Sequence, residues 1–411
     1  MTKKILFFRY SFLIIVCIGI ISGLVWGNNV VIHQKPVEKK FMVPWLGLRL
    51  FLETGDNPYG KPAAQNAQLL FYGHQAITNE DPLQLSQPFA REILLFPLTL
   101  INEYTSARNV WMLILELALI ASAILSLLLF DWKLRIWLIA FYILVFILGV
   151  DAIKPLLDND GIILQSLFFI GGLYFLRIGK DEIAGGMISL TFLTPSATGL
   201  FGLFSLTWII INRRWRILWG ILMTLGFLFI VSFALLPGWL VPFIQSFKTQ
   251  IPFIGYNSTY HILSKFWPAI GNKIAIALSL GIFILMIFEF RAKEKHSFRW
   301  FIWIAMFSLA SSFLLGIPTI QANSIFLFFP IAYIIKIISD RLTPGKRMFF
   351  IGILLGVLFV GGWVVEFKFK DLIPGLMNIL LPSIMIVIGL YWIRWWSIKP
   401  YQTRMHLIDS E

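Results

Sequence analysis

Apolar runs of membrane-spanning length recur along the chain, and one polar stretch near the start interrupts them. Runs near 5–27, 105–130, 136–150, 161–177, 215–239, 272–290, 300–316, 322–340, 348–367 and 372–396 each read as a span, since crossing a bilayer takes about 20 apolar residues. A further apolar stretch, 183–212, is broken at Thr194-Pro195. Proline disfavours helix in the residue before it, so two short helices forming a hairpin are expected there. The predicted fold is an all-α integral membrane protein. It is a single polytopic helix bundle over 1–411, with about ten spans plus the broken hairpin.

The stretch from Asn28 to Glu103 stays largely out of this pattern. Within it, 42–54 reads as a short surface helix, with Pro44 near its start and Trp45, Leu48 and Leu52 on one face. A turn is expected at Gly55-Asp56-Asn57-Pro58-Tyr59-Gly60, and a second short helix over about 62–72 ending near Gly73. Pro88 opens an apolar segment, 89–101, that is too short to cross and is expected to dip into the outer leaflet. A long polar loop directly after the first span suits chemistry at the membrane surface.

Composition narrows the class. The chain is 58% hydrophobic and 13% charged, whereas a soluble domain is about a quarter charged. The net charge of +13 does not point to nucleic acid, because the basic residues cluster in short loops between apolar runs. Lys3/Lys4/Arg9, Lys133/Arg135, Arg177/Lys180, Arg213/Arg214/Arg216, Arg291/Lys293/Lys295/Arg299, Arg341/Lys346/Arg347 and Arg394/Lys399/Arg404 all fall on one predicted side. By the positive-inside rule that side is cytoplasmic. Both termini are then cytoplasmic, and the expected setting is a bacterial plasma membrane. A single crossing at 183–212 would invert every later loop, which favours the hairpin. The run before Trp26 is long for a signal peptide and no small-residue cleavage site follows, so an uncleaved first span is expected. Cys17, the single cysteine, lies inside it and reads as a small apolar residue. Asn257-Ser258-Thr259 is a formal glycosylation sequon that carries no weight in a bacterial protein.

Some cations break the rule. Lys35, Lys39, Lys40, Arg49, Lys61, Arg91, Arg108, Lys154, Lys248, Lys265, Lys273, Lys368 and Lys370 fall on the predicted outside. They are either solvated or held there by an anionic partner.

Nucleotide-binding and zinc motifs are missing, and the five histidines are scattered. No metal site and no cofactor are expected, and the sequence leaves divalent-cation dependence open. An activated substrate is then expected to arrive in the membrane as a lipid-linked molecule. The candidate bases are Glu38, Glu53, Asp56, Glu80, Asp81, Glu92 and Glu103, with Asp158 and Asp160 flanking Asn159 at the outer start of a later span. A hydroxyl acceptor needs a positioned base, and a departing phosphate needs cations. Arg91 and Glu92 put both chemistries at one depth. Glu116 sits well inside the run 110–130, where charged groups are costly and often functional. It reads either as a substrate contact or as a helix-bridging or protonated interior residue.

The run from Trp45 through Arg49, Leu52, Gly55 and Asn57-Pro58 to Tyr59 resembles the W-x-x-x-R-x-x-L-x-x-G-x-N-P-Y stretch of glycosyltransferase family 87, membrane transferases of the GT-C fold. Tyr72-Gly73, Pro88-Phe89-Ala90 with Leu94-Leu95-Phe96-Pro97-Leu98, and Ala184-Gly185 with Arg213-Arg214-Trp215 are similar to later segments of that family. The resemblance covers about half the chain and beyond residue 216 is mostly hydropathy. It implies a GT-C bundle and an inverting transfer of a hexose or pentose, often mannose. The donor would be a polyprenyl-phosphate sugar and the acceptor a lipid or glycan at the outer face. Glu38, Asp56 and Glu92 are the expected catalytic acids. Arg49, Asn57, Tyr59, Arg91, Glu116, Lys248, His261 and Asn323 are the expected substrate contacts. The chain departs from the family at three places. Lys40 stands where an Asp is common, Thr194 where a Lys is expected, and Asn323 where an Asp often opens a late span.

Two other readings stand beside the transferase. A catalytically degenerate relative that binds a lipid-linked glycan would fit the three departures. A transporter would show internal repeats and several midplane polar groups, and the sequence offers no repeat and essentially only Glu116.

Overall fold

The structure, a computed structural model, describes residues 3–35, 37–193, 195–253, 258–291, 296–316, 319–369 and 379–399. Thr194, Asn257, Lys293, Lys295, Lys370, Arg404, the opening of the last expected span and the side chains of Cys17 and the first basic cluster lie outside that description.

The regular secondary structure of the described residues is helical, with no strand among them. In chain order the helices are α1 (Lys3–Gln34), α2 (Lys39–Thr54), α3 (Lys61–Tyr72), α4 (Phe89–Glu92), α5 (Phe96–Thr99), α6 (Tyr104–Phe130) and α7 (Ile136–Leu148). There follow α8 (Val150–Leu157), α9 (Ile162–Arg177), α10 (Asp181–Thr191), α11 (Pro195–Ile211), α12 (Trp215–Leu235) and α13 (Leu240–Gln250). The series closes with α14 (Thr259–Phe266), α15 (Gly271–Phe290), α16 (Phe298–Leu314), α17 (Phe328–Ser339), α18 (Pro344–Phe369) and α19 (Leu381–Ile398).

Six helical stretches are long and apolar enough to cross a membrane: α6, α12, α15, Gln321–Ser339 (which includes α17), α18 and α19. A seventh is added if α7 and α8, bent by 51° at Gly149, form one broken span. The chain is an α-helical membrane protein. The sequence expectation of about ten spans exceeds this count in part because α9 and α16 stop at 16 and 17 residues. Between α10 and α11 the helix breaks at the expected place. Each of the two packs mainly on another neighbour, α10 on α9 and α11 on α16.

The chain divides into two compact units. The first comprises 1–118, 155–161 and 228–253; the second comprises 119–154, 162–227 and 254–411.

In the first unit, α1 runs on to Gln34, seven residues past the predicted end of its span. Asn28 would ordinarily favour an exit from the apolar zone. Here its Nδ2 donates to Glu116 Oε2 at 3.1 Å, and both side chains are buried. α2 buries Phe41, Met42, Trp45 and Leu48, and Trp45 Nε1 donates to the Leu98 carbonyl at 3.1 Å. Gly55 and Gly73 end α2 and α3 in the left-handed region, at φ 78° and 77°.

In the second unit, glycines bring α9, α10 and α12 close. A Cβ on Gly185 would stand 2.1 Å from the Ile217 carbonyl, and one on Gly220 2.2 Å from that of Glu182. α16 is buried along its whole length from Trp300. Beside it, Arg394 clamps Glu289 with two bonds, at 2.8 and 2.9 Å.

One helix ending recurs. Asp131, Asn159, Gly179 and Arg213 all have positive φ. At each, the amide of that residue and the next bond back three and five residues, the Schellman arrangement.

Candidate functional site

The first-loop acids sort by what they already bond. Glu53 takes the Arg49 guanidinium at 2.7 Å. Asp56 is exposed and accepts from Thr54 Oγ1 at 2.9 Å. Glu80 accepts the Ile77 amide at 3.1 Å. Asp81 holds Lys39 at 2.7 Å and the Leu83 amide at 3.0 Å. Glu103 takes the hydroxyls of Thr105 and Ser106 at the start of α6. These five hold turns and helix ends. Glu38 and Glu92 remain: Glu38 feels the charge of Asp158 in the turn at 158–161, and Glu92 is buried beside Arg91.

Glu38 sits at the mouth of α2. Its main chain meets the Tyr104 hydroxyl, the amide donating at 3.2 Å. Its carboxylate lies 3.6 Å from Lys35 Nζ. Burial raises its affinity for a proton above that of an ordinary carboxylate. Asp158 raises it further, while Lys35 and Arg108 pull the other way.

Lys40, two residues on, reaches Asp160 at 2.7 Å and Asp158 at 3.7 Å. Burial would ease its deprotonation, but Asp160, Asp158 and Glu38 more than offset that, and its ammonium is held more firmly than usual. These acids owe their placement to the end of α8. Asn159 takes φ 55°, its amide bonds Leu156 O at 3.0 Å, and the Asp160 amide bonds Pro155 O at 2.8 Å. Trp111 Nε1 donates to the Asn159 carbonyl at 3.0 Å. Asparagine tolerates this backbone region better than most residues.

On the other side of the turn stands Arg91. A Cβ on Gly161 would meet Arg91 Nη2 at 3.1 Å and Trp111 at 3.7 Å, so the glycine admits the guanidinium. Glu92 is 2% exposed. Burial pushes its pKa up to about 7, against a smaller downward pull from Arg91. Tyr59, also buried, feels the Glu92 charge and is held protonated, chiefly by burial. Its hydroxyl donates to the Gln87 carbonyl at 2.7 Å.

Arg108 is fully buried. Its Nη1 donates to the Lys35 carbonyl. Its Nε and Nη2 have no hydrogen-bond partner among the described residues.

The structure therefore brings Glu38 and Arg91 to one turn of the first unit, with Glu92 next to Arg91 and within electrostatic reach of Tyr59. The other expected residues lie elsewhere or are already engaged. Arg49 bonds Glu53 and the Asn102 carbonyl and lies over Trp45 at 5.3 Å. Asn57 Oδ1 accepts the Tyr59 amide at 2.9 Å, an Asx turn. Lys248 is exposed on α13. Glu116 is bridged to Asn28. His261 and Asn323 belong to the second unit. His261 is exposed in the first turn of α14. Asn323 is buried, with Nδ2 donating to Thr319 Oγ1 at 2.7 Å and Ser196 Oγ at 3.0 Å. Sequence reasoning noticed Asp158, Asp160 and Arg108 without assigning them. The Asp-Asn-Asp-Gly string was their signal, since it marks a left-handed turn flanked by acids. Among the described residues, five of the outer cations have carboxylate partners from the chain itself: Lys35, Lys39, Lys40, Arg49 and Lys154, the last with Glu366.

No group of three or more His, Cys, Asp or Glu side chains among the described residues is arranged to hold a metal ion. Comparison with known protein families, characterised proteins and solved structures finds no match to this chain.

Proposed function

We propose that the chain is a membrane glycosyltransferase of the GT-C type. It moves a sugar from a polyprenyl-phosphate donor to a lipid or glycan acceptor at the extracytoplasmic face. The observation that carries this reading is Glu38: a half-buried first-loop carboxylate with raised proton affinity, beside Asp158 and among Lys35, Lys40 and Arg108. In the reaction Glu38 accepts the proton of the acceptor hydroxyl. The freed oxygen attacks the anomeric carbon as the bond to the donor phosphate oxygen breaks. The phosphate leaves with the bonding pair and its charge, which the cations around the 158–161 turn stabilise. A single displacement inverts the anomeric configuration.

The reading carries a topology with it. Six long helices, the bent α7–α8 pair, the shorter α9 and α16, and α1 make about ten crossings, with α10 and α11 as a hairpin. Both termini then lie in the cytoplasm of a bacterial cell.

A second reading has its own observation. Lys40 occupies the position where the family it resembles has an acid, and it is closed onto Asp160 and Asp158. A relative that binds the lipid-linked sugar without transferring it would carry such a clasp. The test is transfer from a panel of radiolabelled polyprenyl-phosphate sugars to membrane extract, with wild type and Glu38→Gln side by side. Transfer by wild type and its loss in the variant supports the enzyme. Equal transfer by both refutes the role of Glu38. Donor binding without turnover in wild type supports the degenerate relative.

A further inference from the structure

We propose that Arg108 is the receptor for a phosphate oxyanion, carried by a lipid phosphomonoester or free in solution. The inference shares its location with the transferase reading but does not need sugar transfer.

Arg108 is 0% exposed, yet among the described residues only one of the three guanidinium nitrogens is bonded. Burying a cation without filling its donors is costly, and native chains rarely leave such a group without purpose. The pair left open is informative. Nε and Nη2 share one side of the guanidinium plane, the side-on edge that matches two oxygens of one phosphate. The third nitrogen, Nη1, is pinned to the Lys35 carbonyl, which fixes the plane of the fork. The nearby acid does not fill the edge. Glu38 feels Arg108 electrostatically, but its bonded cation is Lys35, at 3.6 Å.

Two surroundings favour an oxyanion of high charge. Lys35, whose carbonyl anchors Nη1, has a side chain 54% exposed, and its ammonium lies 3.6 Å from Glu38, which is within electrostatic reach of Arg108. Arg108 lies one turn into α6, near the positive end of that 27-residue helix. A dianionic phosphate uses the fork, the ammonium and the helix end together, which a carboxylate does less well.

The test uses the full chain in nanodiscs of phosphatidylcholine. Thermal unfolding is followed with inorganic phosphate, with a polyprenyl monophosphate, and with acetate as the control, at matched ionic strength. Binding to the native state raises the unfolding midpoint. The expected result is a rise with one or both phosphates and none with acetate. A rise with the polyprenyl monophosphate alone identifies the lipid as the source, and a rise with both identifies the phosphate group itself, free or esterified. Arg108→Gln should abolish the rise, and Arg108→Lys, which keeps charge but loses the fork, should weaken binding about tenfold. Lys61→Ala, at an exposed lysine of α3, should match wild type.

No rise in wild type overturns the proposal, as does an unchanged rise in Arg108→Lys. If Arg108→Gln fails to fold, those two measurements still decide. Phosphate binding that persists while no sugar is transferred retains this inference and removes the transferase.

Discussion

Lys40 Nζ stands 2.7 Å from Asp160 Oδ2, across 120 residues of chain. The cation at the position where the resemblance expects an acid is thus closed onto an acid of its own. The two residues tie the start of α2, two positions after Glu38, to the turn after α8. Lys40→Met removes the ammonium that Asp160, only 8% exposed at its side chain, shares with Asp158. Discounted because Lys40 is about a third exposed, the expected loss is about 2 kcal/mol. Asp160→Asn, which keeps an acceptor for the ammonium, should lose about half as much. Chemical denaturation in detergent checks both values.

Glu92 predicts a pH dependence. Its pKa rises from 4.5 to about 7 on folding, so the folded state favours the protonated carboxyl. Its contribution to stability is full below about pH 4.5 and is lost as pH rises toward about 7. Above that, the buried charge costs roughly 3 kcal/mol. Glu92→Gln should match wild type near pH 4 and be the more stable protein at pH 8, as read by unfolding midpoints across the range.

The Asn28–Glu116 bridge predicts an asymmetry between two substitutions. Asn28→Leu strands a buried carboxyl oxygen and should cost about 1–2 kcal/mol. Glu116→Gln keeps an oxygen to accept from Asn28 and should change little. Should Glu116→Gln abolish sugar transfer while leaving the unfolding midpoint in place, Glu116 is a substrate contact as well as a bridge.

Helix contacts in the second unit predict a paired result. Gly220→Ala drives a methyl toward the Glu182 carbonyl and should cost about 1–3 kcal/mol through forced separation of α10 and α12. Gly226→Ala, on the same helix with nothing within 4 Å, should be neutral or slightly stabilising. Equal midpoints for the two variants would contradict the close approach.

Much of the secondary structure was legible from local patterns. The breaks after α2 and α3 follow from Gly55 and Gly73, and the split between α10 and α11 from Pro195. The end of α1 was not legible. Asn28 reads as an exit from the membrane until its partner, 88 residues away, is known. The site was half legible for the same reason. Arg91 and Glu92 stood out because they open an apolar segment next to each other. Asp56, equally prominent in sequence, bonds Thr54 within its own turn. The pairing of Lys40 with Asp160 depends on tertiary approach, which no local periodicity encodes.

The turn at 158–161 separates scaffold from cargo. The main-chain bonds that shape it use amides and carbonyls, and neither flanking carboxylate takes part in them. The carboxylates of Asp158 and Asp160 can therefore change without unmaking the frame, whereas Asn159 tolerates few replacements besides glycine. Selection can retune the charge displayed there, and with it the preferred ligand, without redrawing the backbone.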